Sequence, residues 1–179
     1  MELKTKRLQI RPFLKSDLYD TYEYCSQEDV GVNAGWPAHQ SLEETAAALS
    51  AWISAGHKHA IVWRENGKVI GHISVDPDSE EGRADTRELG CALNRRYHRN
   101  GIMTEAIKAV LAYLFNGQDI QFVWACCFQS NTASRGMIEK CGFCFMQEGA
   151  YDAPLLNKKI PSFEYRLTRR QWQKNGGQP

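Results

Sequence analysis

The chain has 179 residues, of which 42% are apolar and 24% charged, and its formal net charge is +1. That length suits one domain with a substantial core, and the near-neutral balance gives no support for binding nucleic acid or a membrane through bulk charge. No apolar run approaches membrane-spanning length, and the opening Met1-Glu2-Leu3-Lys4-Thr5 lacks the apolar segment of a signal peptide, so a cytoplasmic protein is expected.

In chain order, residues 7–11 alternate polar and apolar and read as a half-buried strand ended by Pro12. Ser16 or Asp17 is expected to cap a helix that runs through Tyr22 and Tyr24. Residues 31–39, which include Gly35-Trp36-Pro37, are irregular. Ser41-Leu42-Glu43-Glu44 is a capping box, and its helix runs to Gly56. Residues 59–65 and 68–75 flank Asn66-Gly67, the strongest short-range hairpin signal. Residues 76–85 are polar and read as flexible, and residues 87–93 follow as the central strand.

Next comes a basic turn, Arg95-Arg96-Tyr97-His98-Arg99-Asn100-Gly101, and then a helix. A helix start leaves about four backbone N–H groups unpaired and carries roughly half a positive charge, so it favours an anion. Gly101 lets the backbone approach a ligand with no Cβ in the way, while Arg95, Arg96 and Arg99 add charge. Charge-assisted hydrogen bonds of about 1.5–3 kcal/mol each make a few such amides and one arginine enough to hold a pyrophosphate. The turn alone reads equally well as a plain basic connector. In the helix itself, Met103, Ile107, Val110 and Leu114 recur at helical spacing, which is core packing.

Residues 120–127 form a strongly apolar strand, and Asn131 opens a second short helix with Ser134 three residues on. Capping is the ordinary role of such an asparagine. Gly142 reads as the left-handed cap at that helix's end. Residues 143–148 and 163–168 read as a closing strand pair joined by a loop over 151–161, and a disordered tail is expected from Gln173, leaving residues 1–172 as a single domain. Cys141 and Cys144 make a C-x-x-C, but at a helix C-terminus, whereas a redox pair wants the N-terminal end. Adjacent Cys126 and Cys127 point to opposite faces of a strand and cannot both serve one metal in regular geometry, so the cysteines read as buried structural thiols and no metal is expected.

Taken together, Glu88-Leu89-Gly90, Arg99-Asn100-Gly101-Ile102-Met103-Thr104-Glu105-Ala106 and the string from Asn131 through Ser134 and Glu139-Lys140 to Gly142-Phe143 resemble the GNAT superfamily of acyl-CoA-dependent N-acetyltransferases, in particular its Rim-type branch of ribosomal-protein alanine acetyltransferases. The resemblance covers nearly the whole chain. It implies an α/β fold, a mixed sheet with helices on both faces, whose fourth and fifth strands splay apart so that the pantetheine arm of acetyl-CoA enters the gap. Here those edges are residues 91–94 and 125–129, which implicates Ala92, Leu93 and Asn94 in cofactor binding. Arg99, Asn100, Gly101, Ile102, Met103 and Thr104 would hold the diphosphate, and Asn131 and Ser134 would border the cofactor. The implied partners are acetyl-CoA and an amine-bearing acceptor, either a protein N-terminus or a small molecule, and a homodimer is also considered.

Acetyl transfer from a thioester to an amine needs a neutral amine, a stabilised oxyanion and a thiolate able to leave. Glu88, on the same face of its strand as Gly90, is the candidate base; a surface carboxylate paired with Arg87 or a lysine is the plainer reading. The resemblance makes Ser134 the candidate acid and a main-chain N–H near Leu93 the oxyanion donor. Other branches place a tyrosine just before the Glu-Lys pair, where this chain has Ile138, and the broad superfamily differs from His98 and Met103 in the cradle. His98 reads as a phosphate contact or an exposed residue rather than a base. In Rim-type relatives the segment around Trp36 helps wall the acceptor site, though an aromatic closing one end of the core fits as well. Besides an N-acetyltransferase, a non-catalytic acyl-CoA-binding domain and a thiol redox protein remain open on these residues.

Overall fold

The computed structural model describes residues 1–78 and 82–177. In chain order the elements are β1 (Leu3–Lys4), β2 (Leu8–Pro12), α1 (Leu18–Cys25), α2 (Glu28–Val32), α3 (Leu42–Ala55), β3 (Lys58–Trp63), β4 (Lys68–Pro77), β5 (Thr86–Leu93), α4 (Ile102–Gly117), β6 (Phe122–Phe128), α5 (Thr132–Lys140), β7 (Cys144–Ala153), β8 (Lys158–Thr168) and α6 (Arg169–Lys174). The strands form one sheet in the order β1-β2-β3-β4-β5-β6-β8-β7. Neighbours are antiparallel except β5 and β6, which run parallel and are joined by the α4 crossover. This is the mixed sheet with helices on both faces that the resemblance implies.

Side chains alternate between the two faces of a strand, and the core divides accordingly. Leu89 and Leu93 of β5 pack with Ile107, Val110 and Leu111 of α4. Ala92 instead joins Phe13, Tyr24 and Leu49 on the opposite face, under α1 and α3. The α4 stripe of Met103, Ile107, Val110 and Leu114 is buried as its spacing predicts, each such side chain stabilising the fold by about 1.5–3 kcal/mol.

The parallel pair is short. β5 and β6 are in register from Thr86↔Phe122 to Leu89↔Ala125 and then part. Beyond that point β5 stays with β4 as far as Gly71↔Leu93, while β6 follows β8 to Phe128↔Ser162. The result is a cleft in the middle of the sheet, bounded by the expected edges.

Several elements differ from the sequence reading. Asp17 occupies the N-cap of α1 without capping it, because its carboxylate accepts from both Nη atoms of Arg11 at 2.8 Å and from the Leu14 N–H at 2.8 Å; a buried carboxylate gains more from a bidentate guanidinium than from one amide. In the polar stretch 76–85, β4 continues to Pro77 and buried Asp78 accepts from Thr86 Oγ1 at 2.6 Å, so those parts are tied to the sheet, and positions 79–81 lie outside the described residues. The expected 151–161 loop is mostly strand: β7 and β8 pair from Cys144↔Arg166 to Ala153↔Lys158, and only residues 154–157 turn. The first part of β7 lies in the expected strand over 143–148, and its continuation to Ala153 is an outer edge with no apolar alternation. Gln173, the start of the expected tail, lies within α6, whose Trp172 packs against Phe115 at 5.5 Å between ring centroids. Positions 178 and 179 of that tail lie outside the described residues.

Candidate active site

The loop from β5 to α4 is held from beneath. Asn94 is fully buried; its Oδ1 accepts from the Arg96 N–H at 3.1 Å and from Gln27 Nε2 at 3.2 Å, and its Nδ2 donates to Glu23 Oε1 at 2.8 Å. Its side chain therefore fixes the turn. Arg99 (φ +61°) and Gly101 (φ +68°) are both left-handed, with Asn100 between them at negative φ. Such alternation aims successive N–H groups at one point and makes an anion nest. α4 begins at the next residue, and its N-cap Gly101 supplies no side-chain hydrogen bond to the first-turn amides. Ile102 and Met103 bury their side chains in the core and so offer a ligand only backbone. The side chains of Arg95, Arg96 and Arg99 in this loop are exposed, with Arg95 Nη1 3.3 Å from Asp29 Oδ2 and Arg96 Nη1 3.9 Å from Glu23 Oε1. His98 is exposed and its Nε2 lies 2.9 Å from the Leu93 carbonyl, to which it must donate.

A tie invisible in the sequence props the cradle. Glu105, in the first turn of α4, accepts from Thr5 Oγ1 at 2.5 Å, from the Arg7 N–H at 3.0 Å and from Arg7 Nε at 2.6 Å, while Arg7 Nη1 donates to the Asn100 carbonyl at 3.0 Å. Burial works to raise the Glu105 pKa, but the bonds from Thr5 and Arg7 prevail and hold the carboxyl below its usual range.

The cleft supplies the second component. Because the Asn94 N–H donates to the Ile70 carbonyl at 2.7 Å, residues 90, 92 and 94 direct their backbone groups at β4, and the intervening Cys91 and Leu93 direct theirs at the side β6 has left. An extended ligand arm can pair there as an added strand would. A cavity of about 200 Å³ opens at this place and passes between the faces of the sheet. On the α4 side it is lined by Cys91, Ile107, Ala125, Cys127 and, from α5, Ser134, Met137 and Ile138. On the other side it is lined by Lys58, His72, Ser74, Asp76, Glu88, Trp36, Phe128 and Tyr151.

Glu88 and Ser134 thus reach one cavity from opposite faces. Glu88 stands opposite Asp76 in the β4–β5 register, so two carboxylates share this wall. Trp36 packs against the α1–α3 core cluster and also lines the cavity. The segment carrying it meets β7 at Gly35 (φ +87°), where any Cβ would fall 2.8 Å from the Tyr151 ring, and that ring packs on Phe128 at 5.6 Å. Burial, with Cys126, Glu88 and Asp76 nearby, holds the Tyr151 phenol above its ordinary pKa and therefore protonated at neutral pH. Asn131 caps α5, its Oδ1 accepting the Ser134 N–H at 3.0 Å. Met103 and Ile138, the departures noted in the sequence, are both buried.

The expected burial of the cysteines holds for Cys25, Cys127 and Cys141, whereas Cys91 and Cys126 are half-buried and Cys144 is exposed. All six cysteines are free; burial pushes Cys91 up to about 12 and Cys141 up to about 11. Among the described residues, no group of three or more His, Cys, Asp or Glu is arranged to hold a metal ion, and no helix is long and apolar enough to cross a membrane.

Sequence reasoning missed Lys58, His72 and Asp76. A signal existed: in β4, His72, Ser74 and Asp76 place polar groups at every second position of a largely buried strand, which marks one face as something other than core. Buried His72 has Nδ1 3.0 Å from Tyr24 Oη and sits among the rings of Phe13, Tyr24 and Trp52. Burial, reinforced by the charge of Lys58, drives its pKa well below the usual value, so it is neutral.

A nest at a helix start, open strand edges leading from it and a cavity through the sheet fit a diphosphate, an extended arm and a thioester in that order. Comparison with known proteins agrees. Residues 7–144 match the family described as acetyltransferase (GNAT) domain. The chain is 29% identical to the uncharacterized N-acetyltransferase YnaD of Bacillus subtilis over 96% of its own length and 99% of that protein's. A GNAT-family acetyltransferase structure from Bacillus anthracis superposes with a TM-score of 0.84 at 25% identity, covering 95% of this chain and 99% of that one. The ribosomal-protein-S5-alanine acetyltransferase of Vibrio fischeri shares the fold, with a TM-score of 0.75 at 17% identity over 96% and 98% of the two chains. The chain therefore belongs to the GNAT family and is an N-acetyltransferase that draws its acetyl group from acetyl-CoA.

Proposed function

We propose that a primary amine, of a protein N-terminus or a small molecule, enters from the Trp36 and Tyr151 side and attacks the thioester directly. The observation that carries this reading is that Glu88 and Ser134 line the same through-sheet cavity from its two faces. Acetyl-CoA supplies an acyl carbon attached to a thiolate leaving group. Glu88 takes the proton that an ammonium must lose before it can attack, directly or through water. The Leu93 N–H, directed into the cleft, donates to the oxygen where negative charge develops, and the Ser134 hydroxyl gives a proton to the departing sulfur.

Magnitudes rank these roles. At pH 7, deprotonating an N-terminal amine of pKa about 8 costs about 1.4 kcal/mol, against about 4.6 kcal/mol for a lysine of pKa about 10.4. One carboxylate suffices for the first. A thiol with pKa near 8.5 already leaves well, so an acid adds only a modest factor. Ser134→Ala is expected to lower kcat by about tenfold while leaving acetyl-CoA affinity nearly unchanged, measured by free-thiol release with an amine acceptor and by calorimetry with acetyl-CoA. Equal turnover in variant and parent would remove Ser134 from the mechanism.

A further inference from the structure

The acceptor side of the cavity carries a cation as well as carboxylates. Lys58 opens β3, and its half-buried side chain lies with Nζ 4.7 Å from the centre of the Trp52 ring. That ring occupies one face of the ammonium, which still has three N–H groups to satisfy. Among the described residues, no carboxylate lies within 4.0 Å of Nζ and no hydrogen-bond acceptor reaches it. Burial lowers the Lys58 pKa, and Asp76 and Cys25 oppose this from beyond ion-pair distance. Lys58 also lines the cavity, where an anion can complete the shell that water otherwise supplies. Placing an ammonium in such a wall is unfavourable unless something within the cavity completes its shell.

The register sets how far apart the charges stand. Lys58 is opposite Ser74, Ser74 is opposite Gly90, and Glu88 is two residues further along β5 opposite Asp76. With strands about 4.8 Å apart and about 3.4 Å per residue, the Lys58 and Glu88 Cα atoms are roughly 12 Å apart. Their side chains extend from the same face of the sheet and line one cavity. We propose that the acceptor is a small zwitterion, an amine that also bears a carboxylate, whose amine goes to Glu88 and Asp76 and whose carboxylate goes to Lys58. This inference rests on the cavity being the amine site. Lys58 contributes recognition and takes no part in proton transfer. The aromatic walls of Trp36, Phe128 and Tyr151 would receive whatever side chain the zwitterion carries.

The test is thiol release from acetyl-CoA with the twenty α-amino acids as free acids and as their carboxamides, in the parent, Lys58→Met and Lys58→Arg. The parent should use at least one free acid tenfold or more better in kcat/KM than its amide. Lys58→Met, which keeps an apolar stem on Trp52, should bring that ratio close to one through KM, and Lys58→Arg should restore much of it. Calorimetry with coenzyme A, unchanged across the three proteins, guards against misfolding. Amides used as well as free acids, or a ratio that survives in Lys58→Met, would overturn the assignment while leaving acetyl transfer intact. Coenzyme A binding without use of either series would also overturn it, and would direct the acceptor search to peptides. Failure to bind coenzyme A at all would instead sink the cradle and the proposed function with it.

Discussion

The two ends of the cavity are built from different materials. At the end proposed for the donor the groups on offer are backbone: the nest at Arg99 and Gly101, the first-turn amides of α4 and the open edge at Cys91 and Leu93. At the end proposed for the acceptor they are side chains gathered from β3, β4, β5, β7 and the segment after α2, namely Lys58, His72, Asp76, Glu88, Tyr151 and Trp36. A backbone site depends on φ values and helix starts, which a few contiguous residues decide. A side-chain site depends on register across distant strands. One end therefore tolerates varied side chains while its shape is kept, and the other can be altered at residues such as Glu88 and Lys58 without changing the backbone of the first.

Substituting the backbone end should have the largest effect. Gly101→Val adds a β-branched residue at φ +68°, where only Arg7 Nη2 lies near a Cβ, at 3.9 Å. The cost is left-handed strain of about 1–2 kcal/mol together with crowding of the nest. Losing about two charge-assisted hydrogen bonds should weaken coenzyme A binding by about 100-fold; calorimetry that found an unchanged Kd would break the division between the two ends. A change at the side-chain end should leave that affinity alone. Glu88→Gln is expected to reduce kcat/KM for the amine by about 10- to 100-fold, with coenzyme A affinity within about twofold of the parent. Comparable losses in both quantities would mean that the ends are not separable.

The smallest effect concerns acid. Burial lowers the pKa values of His39, His59 and His72 relative to the usual histidine value, most strongly at His72. Below a pH of about 6.5 the unfolded chain binds protons that these folded side chains resist, so stability is retained above that value and falls progressively as pH drops toward their folded pKa values. Thermal melts at pH 7.5 and 5.5 should show a lower Tm at 5.5, with a shallower decline in His72→Gln. An equal decline in that variant would show that His72 does not set the acid response.

How far the sequence reaches follows the same division. The Asn66-Gly67 hairpin, the Ser41 cap, the α4 stripe and the Asn131 cap on Ser134 are local, and each appears where its residues predict, although the Glu44 carboxylate accepts from the Gln40 N–H instead of closing the expected box on Ser41. The cleft follows from the resemblance and matches the last β5–β6 pair, Leu89↔Ala125. Three things were hidden. Asp17 signals a cap by type, but Arg11 claims its carboxylate. The far half of the exposed outer strand β7 carries no periodic apolar signal, so Tyr151 reads as loop although it stands on a strand that frames the cavity. Lys58 and His72 looked like ordinary strand residues because only the pairing of β3, β4 and β5 brings them beside Glu88.

The grip on Glu105 bears on how the molecule is made. Its partners Thr5 and Arg7 come 100 and 98 positions earlier in the chain. Bringing such distant segments together carries a closure entropy that local hairpins avoid. A nascent chain halted before residue 105 could form the β3–β4 turn while its anion-holding corner still lacked its brace, so donor binding is a late-maturing property of this fold.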